Sequence, residues 1–404
     1  MKKISNLLMM AVLTVGMGLT SCEDILGHWE KPTPVTPTPV TPTPGGGSST
    51  TVPVTSITLN ETTLSLLVGE TFQLEATVVP DDATDADVNW NSADADVSIA
   101  TIDGAGIITA VAAGTTAFVV KAGDKTATCT VTVANPDKYI SVASNKKVQF
   151  AKGNLQATYD GSEWTWGFAT NQWDYIGNAA GNNSINGNGT VSANGTVDLF
   201  GWVGESNTTW TGAAQYGISN NNNNPTTAND YGNSTSDKLS SDWGKTIDPG
   251  TTWRTLSADE WKYLLNTRRA MKIGTKDNAR YVRAKVHGIK GLIIFPNQIV
   301  WIETTMGDAP TTCNTGNDNY TYVPTNAQWT VLEAAGCVFL PAAGWRDGSS
   351  VNNDGTLGRY WSSSTMDAYG NPAQVMVFNS LGTSVSGNVR YQGCSVRLVR
   401  DVTP

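Results

Sequence analysis

Five short runs between Val54 and Val133 place apolar residues at every second position. That spacing sorts side chains to opposite faces of a pleated strand and does not make one face of a helix. Val54-Thr55-Ser56-Ile57-Thr58-Leu59 and Phe72-Gln73-Leu74-Glu75-Ala76-Thr77-Val78 carry it most plainly. Val88-Asn89-Trp90, Ile107-Ile108-Thr109-Ala110-Val111 and Thr128-Cys129-Thr130-Val131-Thr132-Val133 continue it. Turn formers separate the runs at Gly69-Glu70, Pro80-Asp81-Asp82, Asp103-Gly104, Ala113-Gly114 and Gly123-Asp124. Short strands punctuated in this way predict an all-β sandwich over residues 52–135. Trp90 is expected in its core, and Cys129 as a buried free thiol.

Upstream, residues 32–44 read Pro-Thr-Pro-Val-Thr-Pro-Thr-Pro-Val-Thr-Pro-Thr-Pro. Recurrent proline fixes φ and removes donors, so the segment is extended polyproline II. At ~3.1 Å per residue it reaches about 40 Å. Gly45-Gly46-Gly47-Ser48-Ser49 then supplies a flexible joint. At the start, Lys2 and Lys3 precede an apolar run from Leu7 to Leu19, which is too short to span a bilayer and ends at Leu19-Thr20-Ser21-Cys22. This is the layout of a secretory signal over residues 1–21. The Cys at the cleavage point resembles the lipobox of bacterial lipoproteins. That resemblance implies acylation of Cys22, with residues 22–51 as lipid anchor and linker at the outer membrane. Stable attachment takes more than one acyl chain. Glu23-Asp24 is similar to the surface-export tag of lipoproteins in Bacteroides-like bacteria, which implies a chain facing the cell exterior.

The order of pieces in residues 52–135 resembles the bacterial Ig-like group 2 domain. The matching residues are Val68-Gly69-Glu70, Pro80, Val88-Asn89-Trp90, Ile102-Asp103, Gly106-Ile107-Ile108-Thr109 and Val111-Ala112-Ala113-Gly114-Thr115. The resemblance implies a spacer or adhesin module.

Composition narrows the chemistry. The formal charge is −9 and only 15% of residues are charged, a poor counterion set for phosphate, so nucleic-acid binding is not expected. The two histidines, His28 and His287, leave no His-based triad or multi-His metal site. No Gly-rich loop follows a strand and opens a helix, so there is no nucleotide motif. The carboxylates form no recognisable acid/base frame. The expectation is a non-enzymatic chain without cofactor or metal.

Residues 137–404 begin with Trp-rich stretches, Trp164-Thr165-Trp166-Gly167-Phe168 and Gln172-Trp173-Asp174-Tyr175. Residues 178–233 are dense in Asn, Gly, Ser and Thr and bury little, so surface loops are expected there. Asp198-Leu199-Phe200-Gly201-Trp202 interrupts them and is expected to pack onto a core. Ser257-Ala258-Asp259-Glu260 and Thr325-Asn326-Ala327-Gln328 are capping boxes that open helices, the second stopped by Gly336. Strands are expected at residues 338–341, 359–363, 373–378 and 395–400. Few helices among many strands and long loops indicate an α+β domain, and hence a multidomain chain.

Several segments of this domain resemble the Fibrobacter major paralogous domain, in order along the chain. They are Trp253-Arg254-Thr255-Leu256-Ser257-Ala258-Asp259-Glu260-Trp261, His287-Gly288-Ile289-Lys290-Gly291-Leu292-Ile293-Ile294-Phe295-Pro296, Phe339-Leu340-Pro341-Ala342-Ala343-Gly344-Trp345-Arg346, Tyr360-Trp361-Ser362-Ser363-Ser364 and Gly393-Cys394-Ser395-Val396-Arg397-Leu398-Val399-Arg400-Asp401. The resemblance implies a C-type-lectin-like fold, shared with formylglycine-generating enzymes. It also extends to variable proteins of diversity-generating retroelements, in which a fixed scaffold carries mutable surface positions. Laid on this sequence, it implies a framework of Tyr360, Trp361, Met376, Phe378, Arg390, Val396, Leu398 and Arg400. It implies ligand-binding positions at Trp345, Asp347, Asn353, Arg359, Met366, Tyr369, Gln374, Val375, Val377, Asn388, Val389, Tyr391 and Gln392. Strand alternation puts Val375 and Val377 opposite Met376 and Phe378.

Against the same group, Cys337 and Cys394 stand where Ala and Phe are usual, and not in the closely spaced arrangement of the enzyme branch. The favoured expectation is a Cys337–Cys394 disulfide between core strands; Cys313 with either partner, or three reduced thiols, stays open. The calcium-bridging lectin motifs Glu-Pro-Asn, Gln-Pro-Asp and Trp-Asn-Asp are absent. The expected function is a surface lipoprotein that binds an extracellular protein or glycan non-covalently. The alternatives are a formylglycine-generating-type enzyme relative and a structural surface or fimbria-associated component.

Overall fold

The computed structural model describes residues 51–90, 93–179, 181–182, 195–202, 242–247, 253–366 and 372–402. The signal segment, Cys22, the Pro-Thr stalk, most of the Asn-rich stretch and Tyr369 lie outside these residues. Among the described residues the chain is multidomain and mostly β.

The first domain has nine strands: β1 Ser56–Leu59, β2 Thr63–Leu67, β3 Thr71–Gln73, β4 Ala76–Val79, β5 Val88–Asn89, β6 Ala100–Ile102, β7 Ile107–Ala110, β8 Gly114–Ala122 and β9 Lys125–Ala134. One sheet runs β2-β9-β8-β5, a second β3-β7-β6, and β1 pairs with β4. The β2–β9 pair is parallel and the others antiparallel. The apolar run at Phe72–Val78 is two strands rather than one. Leu74 turns fully inward between them and donates its amide to the Gly106 carbonyl, so the chain switches partner from β7 to β1. Cys129 is fully buried and unpaired. Trp90 departs from expectation. It is half-buried at the end of β5, where a Cβ on Gly106 would stand 3.0 Å from its ring. Phe118, Val120 and Val131 fill the centre instead. Trp90 follows the two-residue edge strand β5 and packs against this core without being enclosed by it.

The second domain continues with β10 Ile140–Ala143, β11 Lys146–Phe150, β12 Leu155–Tyr159, β13 Trp164–Phe168 and β14 Gly195–Val197. Helix α1 (Gly244–Ile247) precedes β15 (Trp253–Arg254). Helix α2 (Ala258–Lys262) runs into a π-helical turn at Tyr263–Thr267. Then come β16 Tyr281–Val286, β17 Ile289–Ile294, α3 Glu303–Met306, α4 Asn326–Ala334 and β18 Val338–Pro341. The chain ends with β19 Trp345–Asp347, β20 Ser350–Asn352, β21 Gly358–Thr365, β22 Ala373–Asn379, β23 Gly382–Asn388 and β24 Val399–Val402. The sheets are β10-β11-β24-β15, β13-β12-β14, β16-β17-β18, β21-β22-β23 and the β19–β20 pair.

Both capping boxes form. Ser257 Oγ accepts the Glu260 amide while Glu260 accepts the Ser257 amide, and Thr325 and Gln328 do the same for α4. Gly336 follows α4 at φ 99°, the left-handed turn that glycine allows. Leu199, Phe200 and Trp202 are fully buried, as expected of the Asp198–Trp202 segment.

The expected strand at residues 395–400 is shorter, beginning at Val399. Before it the chain threads between layers: Cys394 pairs with Phe200, Ser395 with Tyr360, and the Leu398 and Val396 carbonyls accept the Ala151 and Leu155 amides. Arg397, on this segment, is 1% exposed, whereas Arg400, expected in the framework, is exposed and pairs with Gln149. Arg400 lies on β24, whose side chains have reached the domain surface.

Candidate functional site

The β21-β22-β23 sheet supplies a rigid floor. In register across it, Tyr360 faces Met376 and Val385, and these pack with Phe378 in one core. On the opposite face, Arg359 faces Val377 and Ser384, while Trp361 faces Val375 and Ser386. The alternation read from the sequence therefore assigns the faces correctly. Seven of the eight framework residues, all but Arg400, are at most 1% exposed.

Strand β19 is brought beside β21 by a Gly344–Gly358 bridge and an Arg346–Gly393 pair. The half-buried Trp345 thereby meets Arg359, whose Cζ lies 4.5 Å from the indole centroid. Arg359 Nη1 donates to Asn388 Oδ1 at 3.0 Å and to Gln392 Oε1 at 3.1 Å. Asn388 Nδ2 in turn donates to the Val389 carbonyl. Trp345, Arg359, Asn388 and Gln392 thus form one interlocked cluster, with Val377 and Val389 beside it.

The other positions divide. Asp347 ends β19, half-buried and opposite Ser350. Asn353 is exposed in a turn at φ 54°, its carbonyl accepting the Thr356 and Leu357 amides. Met366 is 60% exposed, and Gln374 lies opposite Gly387, at the other end of the sheet. A Cβ on Gly387 would collide with Met366 Sδ. Tyr391 is half-buried between Arg390 and Gln392.

Two positions are corrected. Val375 is 1% exposed and Asn388 9%, so neither presents a free side chain. Val375 lies on the expected face, but Phe200, Trp202 and Cys394 pack in the same core with it. Asn388 is turned inward to Arg359 and the Cys394 thiol. Ser384 and Ser386, exposed on the same face, were not singled out in the sequence. The lone Val385 in an otherwise polar run was the available signal for their strand.

The expected Cys337–Cys394 disulfide is also corrected. All four described cysteines are free. Cys337 packs with Cys313 in one core and Cys394 with Phe200 and Val375 in another. Burial pushes the Cys394 thiol up to about 12, against the opposing charges of Arg359 and Arg346. A thiol held protonated is a weak nucleophile. Among the described residues no three His, Cys, Asp or Glu side chains gather as a metal site. A cavity of about 570 Å³, bordered by Gln172, Glu333 and Cys337, lies on another part of the domain.

Residues 53–131 match the model of the bacterial Ig-like domain (group 2), and residues 314–399 match a domain of unknown function, DUF8237. The second span contains the whole Arg359 cluster. No curated protein matches the chain. Among solved structures, domains 4 and 5 of the S-layer protein SbsC are 22% identical, covering 20% of this chain and 52% of that one at a TM-score of 0.18. SbsC domains 5–6 are 19% identical, covering 24% and 50% at a TM-score of 0.18. The chain thus spans about half the length of these two structures. Residues 53–131 are therefore a bacterial Ig-like domain of group 2.

Proposed function

We propose that this chain is a lipid-anchored outer-membrane protein whose C-terminal, C-type-lectin-like domain binds an extracellular ligand non-covalently. The order of parts supports the reading: a signal ending at Cys22, a Pro-Thr stalk, an Ig-like module and a head. The observation that carries it is the Trp345–Arg359–Asn388–Gln392 cluster, an aromatic–arginine pair fixed by amide oxygens on a fully packed floor. Such preorganised anchors give contact area at low entropy cost. Exposed or half-buried positions around it, including Val377, Val389, Tyr391 and Gln392, are those open to diversification without loss of fold.

The test is binding of the purified chain, from Cys22 onward, to a panel of bacterial, phage and host-cell surfaces, read by flow cytometry or pull-down. The expected result is saturable binding to at least one surface. It falls at least tenfold in a Trp345→Ala, Val377→Asp variant that circular dichroism shows still folded at the assay temperature, although both side chains pack on the core and its midpoint is lowered. Binding to no surface, or undiminished binding by the folded variant, overturns the reading.

A further inference from the structure

We infer that the open side of the Ig-like domain is a docking groove for an extended segment of a partner protein in which cationic and apolar side chains alternate. The site is separate from the head and does not rest on its binding role. Strand β5 ends one sheet of the sandwich and β6 ends another. Residues of both border a groove of about 510 Å³, within the size range of ligand sites. Phe118, Ile102, Trp90 and Val97 give it apolar surface. Val97 is 65% exposed, so the groove is open to solvent. Gly106 fixes the indole beside it: φ is 83° there, and a Cβ would stand 3.0 Å from Trp90 Cζ2. No cation lies over the Trp90 ring among the described residues.

Charge is the second observation. Residues 53–131 hold eleven carboxylates against two lysines, Lys121 and Lys125. Among the described residues of the domain the one ion pair is Lys125–Asp124. Asp87 and Asp103, both exposed, border the groove from the β5 and the β6 side with no cation within 4 Å among the described residues. The main chain adds an edge. Along the β6–β7 ladder Val111 donates to the Ile99 carbonyl and Asp103 to the Ile107 carbonyl. Alternation turns the Ile102 amide and carbonyl away from β7, where an extended peptide can pair with them.

These features select the occupant. Nucleic acids and acidic polysaccharides are repelled by the domain's charge. A hydrated divalent ion gains nothing from an indole and a valine. A neutral glycan would stack on Trp90 and leave the carboxylates unused. A strand that sets lysine or arginine beside Asp87 and Asp103, with an apolar side chain against Val97 and Trp90, uses the charge, the apolar surface and the edge together.

The experiment uses the whole chain from Cys22 and fluorescein-labelled probes read by anisotropy: a short peptide alternating lysine and valine, its glutamate–valine and lysine–glycine counterparts, and cellohexaose. The expected result is saturable binding of the lysine–valine peptide, at least fivefold tighter than of the other three and weakening as salt is raised. Asp87→Lys should weaken it at least fivefold and Val97→Ser at least threefold. Both replace exposed side chains, so the melting midpoint should hold. Glu61→Lys makes the same charge change on an exposed residue that does not border the groove, and should weaken binding less than twofold. Equal losses in Asp87→Lys and Glu61→Lys, or equal binding of the lysine–glycine peptide, reduce the effect to the domain's overall charge and overturn the groove. Tighter binding of cellohexaose overturns the peptide assignment, and binding of no probe overturns the site.

Discussion

At the residue scale, the most consequential side chains of the head are arginines that never reach solvent. Arg268, Arg283, Arg346 and Arg397 are at most 1% exposed, and none has a carboxylate within 4 Å among the described residues. They spend most of their donors on oxygens of the chain instead, though Arg283 Nη2 and Arg346 Nε find no partner among the described residues. Arg397 donates to Asn154 Oδ1 at 2.9 Å and to the Ala151, Lys152, Gln172 and Phe339 carbonyls, tying together segments distant in sequence. Burial pushes its guanidinium down to about 10, still charged at neutral pH. Removing it strands five acceptors in the interior, so Arg397→Met should lower unfolding free energy by about 3–5 kcal/mol. Arg400→Met, on an exposed side chain, should cost less than about 1 kcal/mol. Urea midpoints of the two variants measure the contrast, and equal losses would contradict this role. The sequence did not reveal which arginine was structural. Arg397 and Arg400 sit three apart in one apolar run, and only the threading of residues 394–398 between layers turns the first inward and the second out.

At the scale of elements, what was local in the sequence was legible and what was not local was hidden. The capping boxes of α2 and α4 rest on residues three apart, so spacing alone located both helix starts. The face assignment on β22 followed from alternation in the same way. Alternation does not say what covers a face, however. Val375 is sealed by the Asp198–Trp202 segment and by Cys394, far away along the chain on one side. Glu260 shows both limits. Its cap to Ser257 was readable, but it also receives Arg254 Nη1 and Nη2 at 2.7 and 2.9 Å, and Lys146 at 3.0 Å. Arg254 in turn reaches Asp401, 147 residues on. Burial would raise the Glu260 carboxyl, but the hydrogen bonds and charge of Arg254 outweigh it and hold the group below its ordinary value. Glu260→Gln keeps an acceptor for the cap and loses the ion pairs, an expected cost of about 1–2 kcal/mol. Glu260→Ala loses the cap as well and should cost about 1 kcal/mol more. If chemical denaturation finds the two variants equal, the cap contributes nothing beyond the charge network.

For the whole molecule, acidic sites with opposite shifts set how stability depends on pH: burial raises the carboxyls of Asp198 and Asp242, while Glu260 and Asp401 are held low. Asp198 is fully buried; its carboxylate accepts the Ile176 amide at 2.8 Å and Asn182 Nδ2 at 2.7 Å, with no cation among its described partners. Burial pushes it up to about 6, against those hydrogen bonds, and the nearby Asp354 adds to the rise. Between about pH 4 and 6 the folded chain therefore holds a proton that the unfolded chain has released. Folding stability must then fall as pH rises through that window, by up to about 3 kcal/mol. Glu260 and Asp401 act in the other direction. Both lie below their ordinary values: burial opposes the shift, and Arg254 and Lys146 outweigh it. Their contribution is present above about pH 4.5 and is lost as pH falls through their folded values. The two limbs meet near pH 4–5, which puts maximal stability on the acid side of the usual range. Urea unfolding at intervals from pH 3 to 7 should show that maximum. Asp198→Asn should shrink the decline between pH 4 and 6 whatever its effect on absolute stability, leaving only the part contributed by Asp242, whose buried carboxyl is also raised. Glu260→Gln should instead flatten the acid limb and leave the decline in place. A decline of the same size in Asp198→Asn would place the responsible carboxylate elsewhere and remove Asp198 from this account.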